Sequence, residues 1–252
     1  MAYPILNSSL KNAALASRCA LAIMAKAPRA GKVKTRLSPP LTLEQSAALN
    51  VCFLKDTARN IADVAGTSAA AGLVCYTPIG DEDLFEGLLP DGFVLIPQRG
   101  DNFGERLLAA SEDILASGFG AVCLIDSDSP TVPASALHEA VELLNRPGDR
   151  IVLGGSNDGG YYLIGLKLPH REAFASIHWS TSTVYSETIE AIREAKIELA
   201  ELPIWYDVDD SNTLDLLREE LLEGIAPPFA NVPGYHAPHS REFLHRLVGV
   251  SQ

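Results

Sequence analysis

No stretch of about 18 uninterrupted apolar residues occurs in this chain, so its sequence argues against a membrane-spanning helix. Cysteine is scarce. Cys19, Cys52, Cys75 and Cys123 are widely spaced and form no CxxC pair, and three of them sit in apolar runs where Cys behaves as a small hydrophobe; a reducing cytoplasm is the expected setting. Positive charge is also in short supply, with 20 Lys and Arg against 32 Asp and Glu for a formal net charge of −12. That balance argues against a protein that coats duplex nucleic acid, which needs a broad basic face. Three catalytic or nucleotide motifs are missing as well. Gly31-Lys32 is followed by Val33 with no Gly five residues earlier, so there is no G-x-x-x-x-G-K-[ST] loop; neither G-x-G-x-x-G nor G-x-S-x-G occurs.

What is present reads as one large α/β domain. Strands are expected at 21–25, 72–77, 93–97, 121–126, 151–154 and 161–166. Helices are expected at 43–65, 103–116, 134–144, 184–196 and 213–222. Thr42-Leu-Glu-Gln45 has capping-box spacing, and Pro133 suits the first turn of the helix that begins at Ala134. Alternating strands and helices predict a mostly parallel sheet covered on both faces, with ligands beyond the carboxyl ends of its strands. Residues 19–223 form this domain. Residues 1–18 lack a long apolar core followed by a cleavage site and are expected to be a cytosolic extension. The Pro- and His-rich tail 224–252 is expected to pack over the outside or to mediate self-association. His236 and His239 are three apart, but Pro238 argues against a regular helix there, and both are expected at the surface. His138, His170, His178 and His245 show no ligand pattern.

Five cations, Lys26, Arg29, Lys32, Lys34 and Arg36, fall within eleven positions after the first strand. A compact acidic protein concentrates like charges where an anion compensates, and phosphate suits both Lys and Arg. Pro28 and Gly31 would shape a wide loop around a diphosphate or triphosphate; the plain alternative is a solvated surface loop. Asp126-Ser-Asp128 follows the fourth strand and has the D-x-D form that binds Mg²⁺ or Mn²⁺, hard ions that prefer carboxylate and phosphate oxygens. Asp126 could equally cap the next helix. Asn157-Asp158-Gly159-Gly160 is a turn entering a strand, able to approach a ligand closely or to be a plain β-turn. Tyr206-Asp207-Val208-Asp209-Asp210 offers another metal ligand or a helix cap. Gly104 and Arg106, at the start of a helix, suit nucleotide contact. Arg106 suits an ordinary salt bridge equally well.

Taken in order, Lys26-x-Pro28-x-x-Gly31-x-Val33-Lys34-Thr35-Arg36, Gly104-Glu105-Arg106, Asp126-x-Asp128-x-Pro130, Asp158-Gly159-Gly160-Tyr161-Tyr162 and Tyr206-Asp207-Val208-Asp209 resemble one family. It is the GT-A-like nucleotide-diphospho-sugar transferases labelled arsenosugar-biosynthesis or radical-SAM/selenodomain-associated glycosyltransferases. More distantly, the set is similar to the molybdenum-cofactor and phospholactate guanylyltransferases. Ser127-Asp128-Ser129-Pro130 stands where members commonly carry Ser-Asp-Cys-Pro, a departure that keeps the carboxylate. The resemblance implies a three-layer αβα sandwich with a mixed, mainly parallel sheet, a nucleotide pocket at the first loop and a divalent metal near the D-x-D.

These readings converge on a metal-dependent glycosyltransferase with a nucleotide-sugar donor and a small-molecule acceptor. Lys26, Gly31, Lys34, Arg36, Gly104 and Arg106 would contact the nucleotide, and Asp126, Asp128 and Asp209 would hold Mg²⁺ or Mn²⁺. Asp128 and Asp158 would act in catalysis, Asp158 at the acceptor. A nucleotidyltransferase releasing pyrophosphate from a nucleoside triphosphate is the alternative on the same residues, and a non-catalytic nucleotide-binding protein is a third.

Overall fold

The structure is a computed structural model that describes residues 3–250. Seven strands, β1 (Cys19–Lys26), β2 (Ala70–Thr77), β3 (Val94–Pro97), β4 (Ala121–Ile125), β5 (Arg150–Ser156), β6 (Tyr161–Leu166) and β7 (Glu198–Trp205), form one sheet in the order β3-β2-β1-β4-β6-β5-β7. Only β6 runs against its neighbours, because the tight turn at 157–160 sends the chain straight back beside β5. The expected strands are all present, with ends moved by at most a few residues.

Among the described residues seven α-helices cover the sheet: α1 (Leu43–Ala65), α2 (Phe103–Ala116), α3 (Ala134–Asn145), α4 (Glu172–Ala175), α5 (Val184–Glu194), α6 (Ser211–Arg218) and α7 (Pro238–Val250). The strand pleat sorts side chains between two cores. Cys19, Leu21, Ile23 and Ala25 of β1 point to α1, α3, α6 and α7, whereas Ala20, Ala22 and Met24 point to α2, α4 and α5. The result is the expected αβα sandwich. Thr42 and Gln45 form the capping box that starts α1, with bonds of 3.1 and 2.8 Å.

The tail departs from expectation. Pro238 opens α7 instead of preventing it, since a helix's first position needs neither its N–H nor a free φ. The buried carboxylate of Asp56 on α1 accepts from His239 N and Ser240 N at 3.0 and 2.8 Å and from Ser240 Oγ at 2.6 Å. His236 and His239 are exposed. The stretch expected as a helix at 213–222 is α6 followed by a wider helical turn, Glu219–Glu223, which ends at Gly224 with φ +73°. Within the N-terminal segment, Leu6 N donates to Leu95 O and Leu95 N to Pro4 O, so this stretch runs beside β3. Among the described residues no helix is long and apolar enough to cross a membrane.

Candidate active site

The carboxyl ends of β1, β4, β5 and β7 share one rim, and the reversed β6 starts there. That rim therefore collects the β1–α1 loop, the Asp126–Pro130 loop, the β5–β6 turn and the segment after Trp205. The loop after β1 is held at several points. Gly31 takes φ +72°, a left-handed backbone that glycine adopts without strain. Arg29 forks onto Asp81 at 2.5–2.8 Å, and Val33 and Leu37 are buried. Arg29 is thereby spent on structure.

Lys34 lies at the centre of the rim. Its side chain is 4% exposed, and its ammonium is 2.8 Å from both Asp128 Oδ1 and Asp209 Oδ1. It also donates to Val208 O at 2.8 Å and sits 5.7 Å from the centroid of the Phe53 ring. Val208 N donates to Asp128 O at 2.9 Å, which fixes the two acidic segments to each other. Burial alone would pull the Lys34 ammonium toward neutrality; the two carboxylates outweigh it and hold its pKa above the ordinary lysine value. Burial likewise raises Asp209, but Lys34 and Arg36 outweigh it and leave this carboxyl below its usual range. Arg36 pairs with Asp209 from the solvent side.

Two cavities meet at this cluster, and Arg36, Asp128 and Asp209 line both. The first, about 240 Å³, is cationic: Lys26, Lys32, Lys34 and Arg36 line it together with Asn50, a buried polar residue of α1. Lys26 and Lys32 have no ion-pair partner among the described residues. The second, about 500 Å³, is acidic and aromatic. Asp126, Asp158 and Asp207 line it with Phe103, Tyr161 and Trp179, whose rings meet edge to face at 5.3 Å (Phe103–Trp179) and 6.3 Å (Tyr161–Trp179).

The other predicted site residues have varied places. The carboxylate of Asp126 is committed to its own loop, accepting from Asp128 N at 3.2 Å, Ser129 N at 3.1 Å and Ser129 Oγ at 2.7 Å. Burial, then the charges of Asp128 and Asp207, push its pKa well above the carboxylate range. Asp158 Oδ1 accepts from Gly160 N at 2.8 Å at the chamber mouth. Gly104 does not meet either cavity: a Cβ there would lie 2.4 Å from Trp179 Nε1, so glycine lets the indole pack on α2. Arg106 also lies outside both cavities, its Nε donating to Gly100 O at 3.2 Å.

Sequence reasoning noted Asp207 in an acidic cluster and Tyr161 in a motif without choosing either as a site residue, and it passed over Asn50, Phe103 and Trp179. Ser156 Oγ donates to Asp207 at 2.9 Å. Burial, with Asp158 and Asp209 nearby, raises the Asp207 carboxyl to about 6. The available signals were a polar Asn on the apolar face of a long helix and a Trp in the irregular segment 176–183. Among the described residues no three His, Cys, Asp or Glu side chains converge closely enough to hold a metal ion by themselves.

The strand order and this rim give the chain a mixed α/β fold of the GT-A and nucleotidyltransferase kind. Residues 60–181 match the DUF2064 family, described as an uncharacterised protein conserved in bacteria. A candidate nucleotide-diphospho-sugar transferase from Desulfovibrio desulfuricans is 28% identical in sequence, with 93% of this chain and 96% of that one superposed at a TM-score of 0.77. CMP:2-keto-3-deoxy-manno-octonic acid synthetase complexed with CTP covers 82% of this chain and 100% of its own at 12% identity and TM-score 0.53. A cytidylyltransferase from Leptospira borgpetersenii gives 12%, 0.51, and 92% and 95% coverage. At such identity these last two share the fold alone. No curated protein matches the chain.

Proposed function

We propose that this chain is a metal-dependent transferase that takes a nucleotide-diphospho-sugar donor and passes the sugar to a small-molecule acceptor. One observation carries the reading: a single cation, the Lys34 ammonium, sits 2.8 Å from Asp128 and Asp209 where a cationic cavity opens into an acidic chamber. Similarity over most of its length to the Desulfovibrio desulfuricans protein supports the same class.

Two carboxylates already arranged to share a cation fit Mg²⁺ or Mn²⁺, which commonly takes one or two protein carboxylates plus substrate phosphate and water. Asp128 and Asp209 would hold the ion, and bound there it supplies charge neutralisation to the departing diphosphate. Lys26, Lys32 and Arg36 bind and orient that diphosphate, and as fixed cations they stabilise its growing negative charge. Lys34 is the residue that positions the two carboxylates. Asp158 contacts the acceptor from the chamber mouth. Asp207, whose carboxyl lies at about 6, is ionised at neutral pH and suited to take the acceptor hydroxyl proton.

Lys26 and Lys32 beside Arg36 would suit a triphosphate equally well, and this observation keeps nucleotidyl transfer as a second reading. A panel of nucleotide sugars and nucleoside triphosphates, assayed with and without Mn²⁺, separates them. Release of nucleoside diphosphate is the expected result, pyrophosphate release would move the protein to the second reading, and turnover of neither would remove both. Asp128→Asn should lower metal-dependent turnover at least ~100-fold while far-UV circular dichroism stays native. Full activity in that variant would take Asp128 out of the mechanism.

A further inference from the structure

The chamber beyond Asp128 combines features that a neutral sugar ring alone does not explain. Asp158 and Asp207 are among its lining residues, and Arg36 is the only Lys or Arg among them; Arg36 is already paired with Asp209. Phe103, Tyr161 and Trp179 line the same chamber. Phe103 and Tyr161 stand edge-on to Trp179, and Gly104 leaves room for the indole. The Tyr161 hydroxyl is buried and has no hydrogen-bond partner among the described residues.

Carboxylates and aromatic rings lining one cavity are the chemistry that recognises organic ammonium groups, since ring faces attract cations and a bulky ammonium tolerates dispersed counter-charge. We propose that this chamber takes an acceptor bearing an ammonium group, seated against Trp179 with Asp158 and Asp207 as its counter-charges. The proposal names the acceptor class for the transferase reading and rests on it.

Isothermal titration in metal-free buffer with the wild-type protein tests it, using choline, its uncharged isostere 3,3-dimethylbutan-1-ol, glycerol, and, for the cationic cavity, inorganic pyrophosphate. Choline should bind at least tenfold tighter than the isostere and glycerol. Asp158→Asn and Asp207→Asn should each weaken choline at least fivefold; the first keeps its turn, because an amide oxygen can still accept from Gly160 N, so loss of fold does not confound it. Trp179→Leu should weaken choline with the isostere little changed. Equal or tighter binding of the isostere or glycerol would overturn the ammonium proposal, as would choline affinity indifferent to Asp158→Asn. Displacement of choline by Mn²⁺ alone, with Mn²⁺ binding lost in Asp158→Asn, would assign the chamber to a metal and also overturn it. Failure of pyrophosphate to bind is a separate outcome that sinks the transferase reading instead.

Discussion

Lys34 shows how one side chain can decide the state of a rim. Its ammonium separates two carboxylates that would otherwise repel, so removing it should be expensive. For a buried pair the loss of one partner costs about 3–5 kcal/mol; with Asp128 and Asp209 at 35% and 32% exposure, about 2 kcal/mol is the expected cost of Lys34→Met. Urea unfolding measures it, and added Mn²⁺ should restore part of the loss by binding only the native state. An unchanged midpoint would show that the triad contributes nothing to stability. Asp207 has the opposite energetic sign. Its carboxyl is raised from 3.8 to about 6, so the native state binds the proton more tightly than the unfolded chain. Its contribution is full below pH 4 and is lost as pH climbs through 6, an effect of at most about 3 kcal/mol. Asp207→Asn should therefore flatten the fall in stability between pH 4 and 6, read from denaturant midpoints across that range. A wild-type profile flat through that window would contradict the raised value.

Among the elements, α7 depends on a single clasp. Asp56 receives two backbone N–H groups and a hydroxyl from residues 239–240, satisfying donors that a helix N-terminus leaves unpaired. Asp56→Ala should cost about 2–3 kcal/mol and raise hydrogen exchange through α7 well before the sheet opens. Protection of α7 equal to that of the wild type would show that apolar packing of Phe243, Leu244 and Leu247 secures the helix without this clasp. The β5–β6 turn also does more than reverse the chain. Gly159 has φ +94° and a Cβ there would sit 2.0 Å from Ser182 O, so this glycine lets the turn touch the segment that carries Trp179 and closes the chamber. Sequence patterns found α1, α2 and β6 at their observed ends because amphipathic period and flanking caps are local properties. The same patterns did not find α7, whose start depends on Asp56, 183 and 184 residues away along the chain for its first contacts.

For the whole molecule, net charge and local charge have opposite signs at the cationic cavity. A chain of net charge −12 that binds pyrophosphate must do so through the local cluster, at close range. Raising salt from about 0.05 to about 0.5 M shortens the screening distance severalfold and should weaken pyrophosphate binding roughly tenfold. Titration calorimetry at both salt levels checks this, and salt-insensitive affinity would mean that Lys26, Lys32 and Arg36 are not the binding groups.

Alternation of apolar strands with amphipathic helices determined the layered α/β architecture, and the right-handed crossovers of parallel strands then brought the β1 loop and the Asp126–Asp128 segment to one rim. Those properties are written locally, in periodicity, caps and turn glycines. What the tertiary structure decided is how the charges are used. It gave Arg29 to Asp81, Asp126 to its own loop and Gly104 to the underside of Trp179, and it placed Lys34 between carboxylates 94 and 175 residues further along the chain. Which charge meets which depends on distances in space, and linear order carries no record of them.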